Sequence, residues 1–187
     1  MRMLAQAVRQ RKAAQRGEDI PLALPEPTLI DLPLAAYIPT DYVPDSALRL
    51  RLYRRMAGRD SLEEIDELAA ELADRFGPIP DPVDNLLYQL RVKVLAGRAG
   101  VSIISIEGGQ IRIKLPGLEN IPRMQLQRHL NLNGGVRVSR TAIWFNRDLS
   151  TNEWKVALVQ VLERLQTFRQ AQLSTAQPVE CALNWTA

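Results

Sequence analysis

Near residue 100 the apolar pattern of this chain changes period, from recurrence every three or four residues to strict alternation. No other feature narrows the fold as far. Three helical stretches in close succession precede the change. Residues 46–57 bring Leu48, Leu52, Tyr53 and Met56 to one face, with Gly58 suited to the C-terminal end. Ser61-Leu-Glu-Glu64 forms a capping box that opens a helix through Arg75, and Gly77-Pro78 stops it. Asp81-Pro82 is a second start, with the carboxylate as N-cap and proline at the first helical position. The third helix is expected to run to about Ala99 and end at Gly100, with Val83, Leu86, Leu87, Leu90 and Val94 as its apolar face.

Beyond the change, residues 101–107 and 110–115 flank Gly108-Gly109, a two-residue hairpin signature. Ile111, Ile113 and Leu115 alternate with Gln110, Arg112 and Lys114, which predicts one buried face and one basic, wet face. A short helix over 122–132 follows, closed by Asn133-Gly134-Gly135, and then a second strand pair at 136–138 and 142–145. Ser150-Thr-Asn-Glu153 is another capping box, opening a helix to about Gln170 whose core face is Trp154, Ala157, Leu158, Val161, Leu162 and Leu165. Trp144 reads as a strand-core residue. The fold class is α+β: a small antiparallel sheet of about four to five strands packed with four to five helices.

Upstream, residues 1–16 read as a detached basic helix with Met3, Leu4, Ala7 and Val8 on one stripe. No N-cap residue stands before it, which suggests a helix cut part-way along. Residues 17–27, with Pro21, Pro25 and Pro27, have the composition of a linker. Residues 28–38 look extended, and Pro33 places them at an edge or break of a sheet. The division expected is a helix with linker over 1–27, a folded domain over 28–172, and a loose tail over 173–187.

A hydrophobic fraction of 46% and a charged fraction of 24% suit an ordinary globular protein of 187 residues. No run is long and apolar enough for a membrane span, and no signal peptide stands at the start, so a cytoplasmic location is expected. Cys181 and His129 are the only residues of their kinds, which rules out an intrachain disulfide and a Cys/His zinc site. Neither G-x-x-x-x-G-K-[ST] nor a G-x-G-x-x-G between strand and helix is present. The pairs Glu63/Glu64 and Glu67/Glu71 lie on a charged amphipathic helix, where solvation is the default. Ser61 and Ser150 serve better as caps than as nucleophiles, and the tryptophans do not interleave with basic residues as stacking platforms do. From chemistry alone, a binding or regulatory domain is the reading.

Charge is unevenly spread. Arg2, Arg9, Arg11, Lys12 and Arg16 precede the first acid, Glu18. Asp60, Glu63, Glu64, Asp66, Glu67, Glu71, Asp74, Asp81 and Asp84 then gather with Arg75 as their only basic neighbour. From Arg91 to Arg147 the sign reverses, through Lys93, Arg98, Arg112, Lys114, Arg123, Arg128, Arg137 and Arg140. An acidic segment in a basic chain suits docking to a basic partner, although a solvated face is the ordinary explanation.

At Leu32-Pro-Leu-Ala-Ala-Tyr-Ile-Pro-Thr-Asp-Tyr-Val-Pro-Asp45 the chain resembles the C-terminal TRCF domain of bacterial transcription-repair coupling factors (Mfd). The likeness continues through Leu50-Arg-Leu-Tyr-Arg-Arg-Met56, Glu71-Leu-Ala-Asp-Arg-Phe-Gly-Pro-Ile-Pro-Asp-Pro82 and Asn85-Leu86-Leu87, and more weakly to about Phe168. Met3-Leu-Ala-Gln-Ala-Val8 resembles the end of the preceding helicase lobe, whereas the tail from Leu173 resembles nothing known. The resemblance implies a parent that is a cytosolic, ATP-dependent translocase on double-stranded DNA, displacing stalled RNA polymerase and recruiting the excision-repair protein UvrA through a UvrB-like region. ATP and Mg²⁺ would belong to its motor, with no cofactor and no catalysis in this fragment.

The terminal domain would be autoinhibitory, docking on the UvrB-like region of its own chain and masking the UvrA-binding surface. Glu71 and Asp74, in the block Glu-Leu-x-Asp-Arg-Phe-Gly, are the docking residues the resemblance implies, facing arginines of that region. Two rival readings are a basic nucleic-acid-binding module, using the N-terminal arm with Arg112, Lys114, Arg137 and Arg140, and a small stand-alone enzyme. Scattered arginines predict only weak, non-specific binding to duplex DNA.

Overall fold

The computed structural model describes residues 28–130, 135–146 and 153–175. The expected helix at 1–16, the linker to residue 27, the glycine turn at 133–134 and the cap at Ser150 lie outside the described residues.

Local signals set the first three helices. Helix α1 (Ser46–Ala57) is capped by Asp45, whose carboxylate accepts from the N–H groups of Ala47 at 2.8 Å and Leu48 at 3.2 Å. In α2 (Leu62–Phe76), Ser61 Oγ accepts from Glu64 N at 3.1 Å, while the Glu64 carboxylate reaches back to Asp60 N at 3.2 Å. Helix α3 (Asp81–Ala99) departs from expectation at its start. Pro80, in extended conformation, is its N-cap, no side chain caps it, and Asp81 is already helical. The Pro80 carbonyl accepts from Val83 and Asp84. Pro82 fits at the second helical position because N–H groups of the first turn have no helical partner to lose. Gly100 ends the helix in left-handed conformation, φ +69°.

The sheet contains β1 (Leu29–Ile30), β2 (Ile103–Glu107), β3 (Gln110–Lys114), β4 (Val136–Val138) and β5 (Ile143–Asn146), in the order β1-β2-β3-β5-β4. Gly108 and Gly109, at φ +56° and +76°, make the tight turn between β2 and β3. The other pairings are antiparallel, but β1 lies parallel to β2, so the sheet is mixed rather than antiparallel. Three helices separate β1 from β2, and only a long crossover of that kind can bring strands in parallel. The edge strand stops before Pro33, as a residue without a ladder N–H requires. Helices α4 (Arg123–Leu130) and α5 (Glu153–Thr175) complete the α+β fold, α5 running past its expected end near Gln170 into the region expected as tail.

Two apolar cores share α3. Ile104, Ile111, Ile113, Val136, Val138, Ile143 and Phe145 bury one sheet face against α4, α5 and the second half of α3. Ile38, Val43, α1 and α2 enclose the other core around Val83, Leu87 and Val94. The single apolar face expected for α3 therefore accounts for only one of its two contacts. Val92, Leu95, Ala96 and Ala99 form the other, and Leu86 and Leu90 are only partly buried. Trp154, Leu158, Val161, Leu162 and Leu165 are buried as expected. Trp144 is not in the core. It alternates with Ile143 and Phe145 and therefore projects from the opposite sheet face, where it is half-buried.

Candidate functional site

The C-terminal end of α2 carries both residues expected to dock. Packing of Leu52 and Met56 in the core that holds Leu68 and Leu72 turns the exposed Arg55 toward α2. Its guanidinium grips Glu71 at two points, Nη1 donating to Oε1 at 2.7 Å and Nη2 lying 2.5 Å from Oε2. Arg75, one turn on, donates from Nη1 to Oε1 of the same carboxylate at 2.9 Å. Hydrogen bonds from Arg55 and then Arg75 outweigh partial desolvation and hold the Glu71 carboxyl at a pKa of about 2.

Arg75 also lies over the Phe76 ring, 5.2 Å from its centroid, and Phe76 tilts against Tyr42 at 5.7 Å. The Tyr42 hydroxyl reaches the Leu72 and Gly77 carbonyls at 3.0 and 3.2 Å, which ties the helix end to the loop before α1. Asp74 is exposed and makes no hydrogen bond or ion pair among the described residues. Glu71 is thus committed within the domain, whereas Asp74 is available.

The acidic segment has more basic neighbours in space than Arg75 alone. Arg59 stands 3.4 Å from Glu64, and Arg91 pairs with Asp66. That second pair borders a groove of about 310 Å³ between α2, α3 and α5, floored by Leu62, Tyr88 and Leu95. Lys155, on its far side, is held by Asn85 Oδ1 at 2.7 Å. Among the described residues, no three His, Cys, Asp or Glu side chains are grouped to hold a metal ion. No helix there is long and apolar enough to cross a membrane.

Four of the basic residues named from the sequence lie on or beside the sheet instead. Arg112, Lys114 and Arg137 share the sheet face that no helix among the described residues covers, and Arg140 stands in the β4–β5 turn. Sequence reasoning misses Arg55 as the partner of Glu71 and Trp144 as the neighbour of Arg112. Both contacts join separate elements, so no local spacing announces them.

A family model described as the TRCF domain matches residues 32–126. The transcription-repair-coupling factor of Escherichia coli is 30% identical over 173 residues, covering 88% of this chain and 14% of that protein. The protein of the same name from Mycobacterium tuberculosis is 31% identical over 119 residues, covering 63% and 10%. That from Haemophilus influenzae is 39% identical over 80 residues, covering 43% and 7%. The chain therefore spans only 7–14% of the length of these relatives. A crystal structure of the C-terminal domain of a transcription-repair coupling factor superposes with a TM-score of 0.68 at 22% identity. It covers 79% of this chain and 96% of that one, a likeness of fold.

Proposed function

Because this chain belongs to the transcription-repair-coupling factor family, as its C-terminal TRCF domain, we propose that it is a non-catalytic, autoinhibitory interaction domain. In the parent it docks on the UvrB-like region of the same polypeptide and masks the surface that receives UvrA. Release accompanies action on RNA polymerase stalled on double-stranded DNA, in the cytoplasm. ATP and Mg²⁺ serve the parent's motor through residues outside this chain.

The observation that carries this reading is the family match over residues 32–126, which spans the α2 end. Asp74 is the carboxylate there that no described residue pairs with, and it can meet a basic partner. Glu71 holds Arg55 and Arg75 in place beside it and joins the contact by exchanging one of them for an incoming arginine.

Strong intrinsic affinity is not required between parts of one polypeptide. At an effective concentration on the order of 1 mM, a dissociation constant of about 10 µM leaves roughly 99% of molecules closed. The test is a pull-down of this chain against the separated UvrB-like region of a parent factor. Weak, salt-sensitive capture is expected, and no capture at low salt sinks the proposal.

A further inference from the structure

On the sheet face that no described helix covers, three side chains stand in one row across three strands. Arg112 of β3 and Arg137 of β4 are both register partners of Trp144 of β5. Register partners on antiparallel strands project to the same side, with Cβ atoms about 5 Å apart, so the indole stands between two arginines. The Arg112 guanidinium lies over the Trp144 ring, 5.6 Å from its centroid. The indole Nε1–H donates to Ser139 Oγ at 3.3 Å, which fixes the ring's orientation.

The surrounding charge is mostly of one sign. Lys114 lies two residues from Arg112 on the same face, and Arg140 is exposed in the adjoining turn. Among the described residues Glu107 is the one strand acid on this face, and it pairs with Arg112. Lys114, Arg137 and Arg140 are exposed and make no ion pair among the described residues.

We propose that this face binds single-stranded nucleic acid, with a base stacked on the Trp144–Arg112 pair and phosphates met by Arg137, Lys114 and Arg140. The charge selects a polyanion, and the aromatic selects the kind. A π-face flanked by cations suits an unstacked base, which a duplex does not offer and an acidic peptide does not possess. This surface lies on the sheet, away from Glu71 and Asp74, and does not depend on the docking proposal.

Fluorescence anisotropy on the full chain at low salt tests it, with three labelled probes: a short oligothymidylate, a duplex of the same length and a poly-glutamate peptide. The oligothymidylate should bind with a dissociation constant on the order of tens of micromolar and tighter than the other two. Trp144→Leu should weaken it about five-fold or more. Arg137→Glu should weaken it at least as much and lower the salt slope by about 0.7 for each phosphate no longer met. Circular dichroism checks folding, and Arg137→Glu, on an exposed strand position, remains decisive if Trp144→Leu does not fold. Equal binding of the duplex or the peptide overturns the proposal. So does an affinity unchanged in both variants, which would place any binding elsewhere in the chain, including its arginine-rich start.

Discussion

Arg55 and Glu71 are joined by a two-point fork, Nη1 to Oε1 at 2.7 Å and Nη2 to Oε2 at 2.5 Å, linking two successive helices. Planar guanidinium and planar carboxylate match in this arrangement, so the pair fixes direction as well as distance. With Arg75 on the same carboxylate, the cluster carries two positive charges and one negative. The surface beside Asp74 is therefore less acidic than the sequence around it suggests.

Acid should loosen this cluster. The Glu71 carboxyl sits at about 2 in the folded protein against an ordinary 4.5, so the folded state binds its proton more weakly than the unfolded state. The stabilisation is complete above pH 4.5 and disappears as pH falls toward 2. The pair is partly solvated, so its worth is about 0.5–1 kcal/mol. Urea melts at pH 6 and pH 3 should show a smaller loss of stability in Glu71→Gln than in the unsubstituted chain. Identical losses would show that Glu71 contributes nothing to acid sensitivity.

Substitutions at Asp74 and Glu71 should separate docking from folding. Asp74→Ala removes a solvated carboxylate and should change stability by less than about 0.5 kcal/mol. Glu71→Ala leaves Arg55 and Arg75 facing one another and should cost about 1 kcal/mol. Capture by the UvrB-like region should weaken in Asp74→Ala without any change in melting temperature. In a full-length factor, Glu71→Arg with Asp74→Arg should raise UvrA binding and ATPase rate together. If both stay at resting level while the domain remains folded, this pair is not the clasp.

Contacts made within a few residues are legible in the amino-acid sequence. Ser61 caps α2 and Gly100 closes α3 through hydrogen bonds to near neighbours, and Gly108-Gly109 needs only its own φ angles. Asp81 stands one position further into α3 than its spacing predicts. Pro80 and Pro82 are each compatible with a helix start, and only the backbone path chooses between them. Register is beyond such reading. Nothing local says that Leu29 pairs with Ile103 in parallel, or that Trp144 falls between Arg112 and Arg137. The same holds for Arg55 and Glu71, which meet only after both helices settle on Leu68 and Leu72. A family block points to Asp74, but its openness depends on which partners its neighbours take in space.

Tyr88 should resist ionisation. Its ring packs edge-on against Trp154 at 6.1 Å, and its hydroxyl donates to the Lys155 carbonyl at 3.0 Å, joining α3 to α5. Burial pushes the phenol well above its ordinary value of 10.0. The protonated form is favoured in the fold, so its stabilisation is complete below pH 10 and is lost as pH rises beyond it. Tyrosinate absorbance of Tyr88 should therefore appear with unfolding rather than ahead of it. Tyr88→Phe should cost about 1 kcal/mol at neutral pH and flatten the alkaline loss. A Tyr88 that titrates with the fold intact would contradict this.

Two glycines of the same helix region should respond to alanine with opposite signs. Gly97 lies inside α3, exposed, and a Cβ there meets nothing within 4 Å. Gly97→Ala removes backbone freedom from the unfolded chain and introduces no clash, so it should stabilise by about 0.5–1 kcal/mol. Gly100 closes the same helix at φ +69°, where a side chain is strained whatever the space around it. A Cβ there would also stand 1.8 Å from Arg169 Nη1, the group that donates to the Ala99 carbonyl at 2.9 Å. Arg169 can swing away, but only by giving up that bond, and with it the partner of a carbonyl at the helix end. Strain of about 1 kcal/mol and a broken hydrogen bond of about 1 kcal/mol together give a loss of about 2 kcal/mol. Thermal melts should then move up by about 2 °C for Gly97→Ala and down by about 6 °C for Gly100→Ala. Adding Arg169→Ala to Gly100→Ala should cost little more, because the first change already breaks the bond the second removes. Additive losses in that double variant would mean that Arg169 keeps its carbonyl partner and that strain at residue 100 is the whole effect.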